Sequence, residues 1–130
     1  MDFAQRAQQL RDTIVRDRRW IHRHPELSYQ EHETTAYLVC RLTRMGIPVQ
    51  TFGDYTGCIA TIQGGQPGRT VLLRADIDAL PIQEETGLDF ASVHPGVMHA
   101  CGHDCHAAML LGAARLLWEG RQELHGTVKL

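Results

Sequence analysis

The sequence predicts an α/β fold built around a mixed sheet. Three observations carry this: helical spacing of apolar residues over the first 45 positions, short strand-like runs between Val49 and Ala75, and an apolar helix after Asp104 that leads into a new strand at Gly126. Residues 2–22 read as the first helix, because Phe3, Ala7, Leu10, Ile14 and Ile21 recur at helical spacing. Pro25 ends it, since a residue before proline avoids the helical region. Ser28 and Glu31 have the spacing of a capping box, which starts a second helix that runs to about Met45. Gly46 stops that helix as a C-terminal cap.

The period then changes. Val49–Phe52 and Cys58–Ile62 read as strands. Gly64-Gly65-Gln66-Pro67-Gly68 is turn chemistry and predicts an antiparallel hairpin between Cys58–Ile62 and Thr70–Ala75. The apolar run Thr70–Ala75 is typical of a strand buried on both faces. Pro81 to Gly96 reads as a loop. Asp104 is the expected N-cap of a helix from Cys105 to about Trp118, apolar nearly all round and therefore buried. Gly126–Leu130 opens as a strand and leaves no room to complete it, so the chain reads as one segment of a larger α/β domain.

Composition narrows the function classes. The chain has 130 residues, 43% of them hydrophobic and 22% charged, which is ordinary for a globular protein. A net charge of −2 gives no reason to expect nucleic acid or an anionic membrane as partner. No apolar run approaches the roughly 18 residues needed to span a bilayer. Met1–Arg19 is charged throughout and lacks a signal-peptide core, so the expected location is cytoplasmic. In that compartment the four cysteines are not expected to form disulfides. Cys40 and Cys58, in apolar contexts, read as buried small hydrophobes.

Two stretches carry chemistry. Arg74-Ala75-Asp76-Ile77-Asp78-Ala79-Leu80-Pro81 lies at the end of a strand, where α/β sheets place their sites. Asp76 and Asp78, two apart, can point to the same side; the plainer reading is a turn whose aspartates cap backbone amides. The second stretch, His99-Ala100-Cys101-Gly102-His103-Asp104-Cys105-His106, packs three histidines, two cysteines and an aspartate into eight residues. Such a set of sulfur and nitrogen donors at a helix N-terminus reads as a metal site. Gly102 lets the backbone fold tightly, so Cys101 and His103 can reach one small volume. A haem attachment is disfavoured because three residues, not two, separate Cys101 from Cys105. A self-contained structural zinc site is disfavoured because Cys101, His103, Cys105 and His106 would crowd one tetrahedron.

Taken together, Arg74–Pro81 and His99–His106 resemble the motifs of the M20 family of metallopeptidases, in its amidohydrolase branch. That branch includes hippurate hydrolases, N-acyl-amino-acid amidohydrolases, N-acetyldiaminopimelate deacetylases and auxin-conjugate hydrolases. The stretch His22-Arg23-His24-Pro25-Glu26-Leu27-Ser28, with Glu31 and Thr34 beyond it, is similar to the branch's N-terminal motif.

The resemblance implies a three-layer helix–sheet–helix catalytic domain like that of zinc peptidases. Residues 1–130 would be its N-terminal part, and the rest of that domain and a dimerisation domain would lie outside the chain. It implies two divalent metal ions (manganese, zinc, cobalt or nickel) and an N-acyl amino acid or related small amide as substrate. The parent would be a homodimer. Cys101 would match the branch's bridging metal ligand and His103 a ligand of one metal. Asp78 would match the aspartate that orients a ligand. Asp76 stands where other M20 branches carry a histidine ligand. His99, Asp104 and His106 would support the site from behind. The general base, a glutamate, is expected after Leu130, so the 130 residues alone are expected to lack amidase activity. The competing class is a non-catalytic metal- or thiol-binding module, or a decayed relative. His22, His24, His32, His94 and His125 read as surface or packing residues.

Overall fold

A computed structural model describes all 130 residues. Its elements, in order, are helices α1 (Phe3–Gln9), α2 (Arg11–Arg23) and α3 (His32–Arg44), strands β1 (Val49–Thr51), β2 (Cys58–Gln63) and β3 (Gln66–Leu72), helix α4 (His103–Glu119) and strand β4 (His125–Lys129). The fold is thus mixed α/β, as the sequence predicts. The expected first helix divides at Leu10 into α1 and α2, although Leu10 itself keeps helical dihedrals.

The four strands form one sheet in the order β1-β2-β4-β3. The expected hairpin between Cys58–Ile62 and Thr70–Ala75 does not form. β4 lies between β2 and β3, antiparallel to the first and parallel to the second. The glycine-rich turn therefore separates strands that are not neighbours. The sheet is mixed, but the mixing comes from β4. The strand expected to be buried on both faces is an edge strand, shifted to 66–72 and exposed along its length. Only one of its edges is paired, and Val71 is 53% and Leu72 66% exposed.

A core of nine buried residues joins the sheet to the helices. Ala60 and Ile62 of β2 meet Leu38 and Leu42 of α3, Ala107, Leu111 and Ala114 of α4, and Ile21 of α2. α2 packs along α4, and close approach is possible because Gly112 has no side chain: a Cβ there would stand 2.7 Å from Cδ1 of Ile14. α4 is less uniformly buried than its sequence suggests, with Met109 56% exposed.

The start of α3 differs from the capping box. Glu31 takes the N-cap position, but neither its side chain nor that of Ser28 bonds the helix's free amides. Glu26 does, accepting from the amides of Glu33 at 3.1 Å and Thr34 at 2.6 Å, and from the Thr34 hydroxyl at 2.7 Å. The chain reverses at Tyr29, at φ 63°, so Ser28 faces elsewhere. Cys40 is exposed rather than buried, while Cys58 is half-buried and its thiol pKa is raised by burial.

Three backbone links place the chemistry-bearing residues. Beyond β3 the chain leaves the sheet, and the amide of Ala79 bonds the Glu26 carbonyl at 2.7 Å in a parallel bridge with Leu27. Leu80 and Met98 then exchange two backbone hydrogen bonds, of 2.9 and 3.0 Å. The intervening stretch is the loop the sequence predicts. These links bring Ser28, Asp78 and the entry to α4 together.

Candidate metal-binding cleft

Asp76 and Asp78 both face the ring of His103. Nδ1 of His103 lies 2.9 Å from the Asp78 carboxylate oxygen Oδ1 and 3.0 Å from the Asp78 carbonyl oxygen. Both partners are acceptors, so Nδ1 carries the proton and donates. In the neutral ring that leaves the Nε2 lone pair free. Nε2 stands 4.0 Å from Oδ2 of Asp76. Asp78 is itself anchored by the Ser28 hydroxyl, which donates to Oδ2 at 2.9 Å. Burial pushes the Asp78 carboxyl upward, but the Ser28 hydroxyl, its own backbone amide and His103 outweigh this and hold it below the usual carboxylate range. Asp76 is also paired with Arg74 at 2.5 Å.

This group lines a cleft of about 490 Å³. Its opposite wall comes from Ser28, Tyr29, Glu31, Tyr55 and Thr56. Glu31 is 6% exposed and accepts from the Thr56 hydroxyl. Glu31 and Ser28 thus turn their side chains to the cleft wall instead of to the amides of α3. The His22–Ser28 motif was the signal for them, but the capping-box spacing fitted the same two residues.

The eight-residue cluster is divided by the helix start. Gly102, at φ 101°, is the N-cap residue of α4, in the left-handed region that favours glycine. Asp104 is therefore not the N-cap; it lies in the first turn and points inward. Cys101 is exposed on the approach to the helix. His106 is exposed one turn on, its ring centroid 6.3 Å from that of His103. His99 is buried, and neither ring nitrogen has a hydrogen-bond partner. Burial, the largest influence, lowers its pKa to about 4. No three His, Cys, Asp or Glu side chains gather closely enough to hold an ion.

Behind the cleft lies a buried network that sequence reasoning missed. Of the two expectations for His22, surface or packing, the second holds: it is 2% exposed. Its Nδ1 is 2.7 Å from Oδ2 of Asp104, and its Nε2 is 3.0 Å from Oε1 of Glu84. Two carboxylate partners suit a ring that donates from both nitrogens. Arg18 adds a bond of 2.8 Å to the same oxygen of Asp104. Glu84 also accepts from the amide of Ser92 at 2.9 Å, which ties the 81–97 loop to α2. Burial raises the Glu84 carboxyl, yet Thr86, the Ser92 amide and His22 together keep it below its ordinary value. The motif His22–Ser28 contained this signal too, but a lone histidine in a helical pattern gives no sign of burial.

The donor set fits a divalent cation in part. A histidine whose far nitrogen is held by a carboxylate, with the near nitrogen free, is how proteins prepare an imidazole for a metal.

Comparison with known proteins agrees with this chemistry. The family described as "Peptidase family M20/M25/M40" matches residues 72–130. Over 121 residues, 93% of this chain and 29% of the relative, the chain is 50% identical to the N-acetyl-L-cysteine deacetylase of Bacillus subtilis. It is 46% identical to thermostable carboxypeptidase 1 of Saccharolobus solfataricus over 125 residues, 95% of this chain and 32% of the relative. Among solved structures, the Bacillus subtilis YXEP protein, described as a dinuclear metal binding peptidase from the M20 family, superposes with a TM-score of 0.90 at 47% identity. That match covers 94% of this chain and 35% of YXEP. Over nearly its whole length the chain is similar to M20 peptidases and amidohydrolases, in line with the resemblance of its motifs. It spans about a third of the length of the curated relatives it matches.

Proposed function

We propose that the chain is the N-terminal part of the catalytic domain of a metal-dependent amidohydrolase, acting on N-acyl amino acids or related small amides. The observation that carries this reading is the His103–Asp78 pair. The Nδ1 proton is committed to Asp78, and Nε2 is left toward a cleft large enough for a small substrate. Names among the relatives, an N-acetyl-L-cysteine deacetylase and an N-acyl-L-amino acid amidohydrolase, support the substrate class.

In this reading Cys101 and His103 would hold the metal, through sulfur and through Nε2. Two divalent ions, from among manganese, zinc, cobalt and nickel, would supply Lewis acidity toward the amide carbonyl and lower the pKa of water. Asp78 fixes the tautomer and orientation of His103, and Ser28 fixes Asp78. Asp76, beside Nε2, adds negative charge that favours a cation. Asp104, bound to His22, holds the first turn of α4 in place, and His99 and His106 flank it. The general base comes from beyond Leu130. No helix is long and apolar enough to cross a membrane. A cytoplasmic homodimer completes the reading.

The test is metal-dependent release of amino acid from N-acetyl and N-benzoyl amino acids by the full-length gene product. Activity should vanish with a chelator and return with metal. His103→Ala should abolish it, with the fold intact by circular dichroism. Metal uptake without any hydrolysis by the full-length product would overturn the enzyme reading in favour of a binding module.

A further inference from the structure

Sharing no lining residue with the metal cleft, a second polar cavity of about 300 Å³ lies between α2, α3 and α4. Four arginines from three different helices line it: Arg16, Arg41, Arg44 and Arg115. Asp17 is the only acid among its lining residues. This is a third of the chain's twelve arginines, in a protein whose net charge is −2.

The acids nearby are already spent. Asp17 is 2% exposed and accepts from the Tyr37 hydroxyl at 2.6 Å and from Arg41 at 3.3 Å. Glu119 takes Arg115 at 2.6 Å and two bonds from Arg6. Arg16 reaches only the Thr13 hydroxyl, at 3.2 Å, and Arg44 makes no side-chain hydrogen bond or ion pair. The buried Nε of Arg41 also has no hydrogen-bond partner. It lies 2.9 Å from Oδ1 of Asp17, so the N–H is turned away from the carboxylate that it approaches. A buried guanidinium donor left without an acceptor costs stability unless something accepts from it.

Guanidinium groups match the tetrahedral oxygens of phosphate through paired N–H donors. Leu10, Ile14, Met45 and Leu111 give the cavity an apolar wall, with Thr13 and Gly112 completing the lining. We infer that this cavity is a binding site for a small molecule bearing a phosphate group, held by Arg16, Arg41 and Arg44. The apolar wall favours an organic phosphate ester over free phosphate. The site is independent of the metal cleft, and its residues take no part in the proposed hydrolysis.

Isothermal titration of the full-length gene product, with metal removed by a chelator, against phenyl phosphate and inorganic phosphate at matched ionic strength tests this. Saturable binding of at least one is expected, and tighter binding of phenyl phosphate would identify an ester as the ligand. Equal or tighter binding of inorganic phosphate would identify free phosphate. The double variant R16A/R44A should lose affinity at least tenfold. It removes no acid's partner, so its melting temperature without ligand should match the parent's. Absence of saturable binding by the parent chain, or unchanged affinity in a folded R16A/R44A variant, would overturn the assignment.

Discussion

The imidazole of His103 is held by the carboxylate and the carbonyl of one residue, Asp78, at 2.9 and 3.0 Å. The two residues are 25 positions apart, and both oxygens demand a proton from the same nitrogen. This fixes the ring's tautomer without any help from bulk solvent. Replacing Asp78 by Ala leaves the ring free to turn and to exchange tautomers. In the full-length protein the expected result is a loss of metal affinity of about 10–100-fold. Competition against a chromogenic chelator measures it, and Asp78→Glu should recover part of the loss. Equal affinity in D78A would remove Asp78 from the site.

The His22–Asp104–Glu84 network is predicted to act on stability first. Its groups lie in the interior, with side-chain exposures of 3% for His22 and Glu84 and 1% for Asp104. His22→Ala strips a partner from two buried carboxylates, which in comparable cases costs about 3–5 kcal/mol. Urea unfolding followed by circular dichroism reads this directly. A change below about 1 kcal/mol would mean that water takes over the pairing.

Acid should reach the protein through Glu119. Its carboxyl is held at about 2, chiefly by the Arg6 hydrogen bonds, with Arg115 adding a further bond. A carboxylate whose folded pKa lies below its unfolded one, near 4.5, stabilises the fold fully above the unfolded value. That contribution fades as pH falls from about 4.5 toward about 2. The urea midpoint should therefore drop across this window, and Glu119→Gln should flatten the part of the drop that it causes. Because the pair is partly exposed, 0.5 M salt should reduce the effect.

The readability of this chain from its residues was uneven, and for physical reasons. Helix positions and strands β1, β2 and β4 follow local periodicity, which depends only on neighbours in sequence. The family likeness was legible because the cleft's residues come in short contiguous motifs. What misled was non-local. Glycines 64, 65 and 68 favour a turn, but nothing local says whether β4 will enter between the strands that the turn separates. Ser28 and Glu31 satisfy a capping box by spacing alone, while tertiary contacts give Ser28 to Asp78 and the cap to Glu26. Cys40 is exposed although its sequence context is apolar, since the burial of a helical face depends on what packs against it as well as on its pattern.

Because β3 and β4 run parallel, everything between them belongs to a single crossover that starts after Leu72 and returns at His125. Asp76, Asp78 and His103 all ride on that crossover. Parallel pairing delays its reward until a long loop has closed, which makes it a late event in folding. The cleft is therefore expected to acquire its geometry only when β4 docks. A ribosome-bound chain that has not yet released β4 would hold the histidine and both aspartates without holding them together. Metal capture during synthesis would then wait for the docking of β4, and a nascent chain would be shielded from premature loading with the wrong ion.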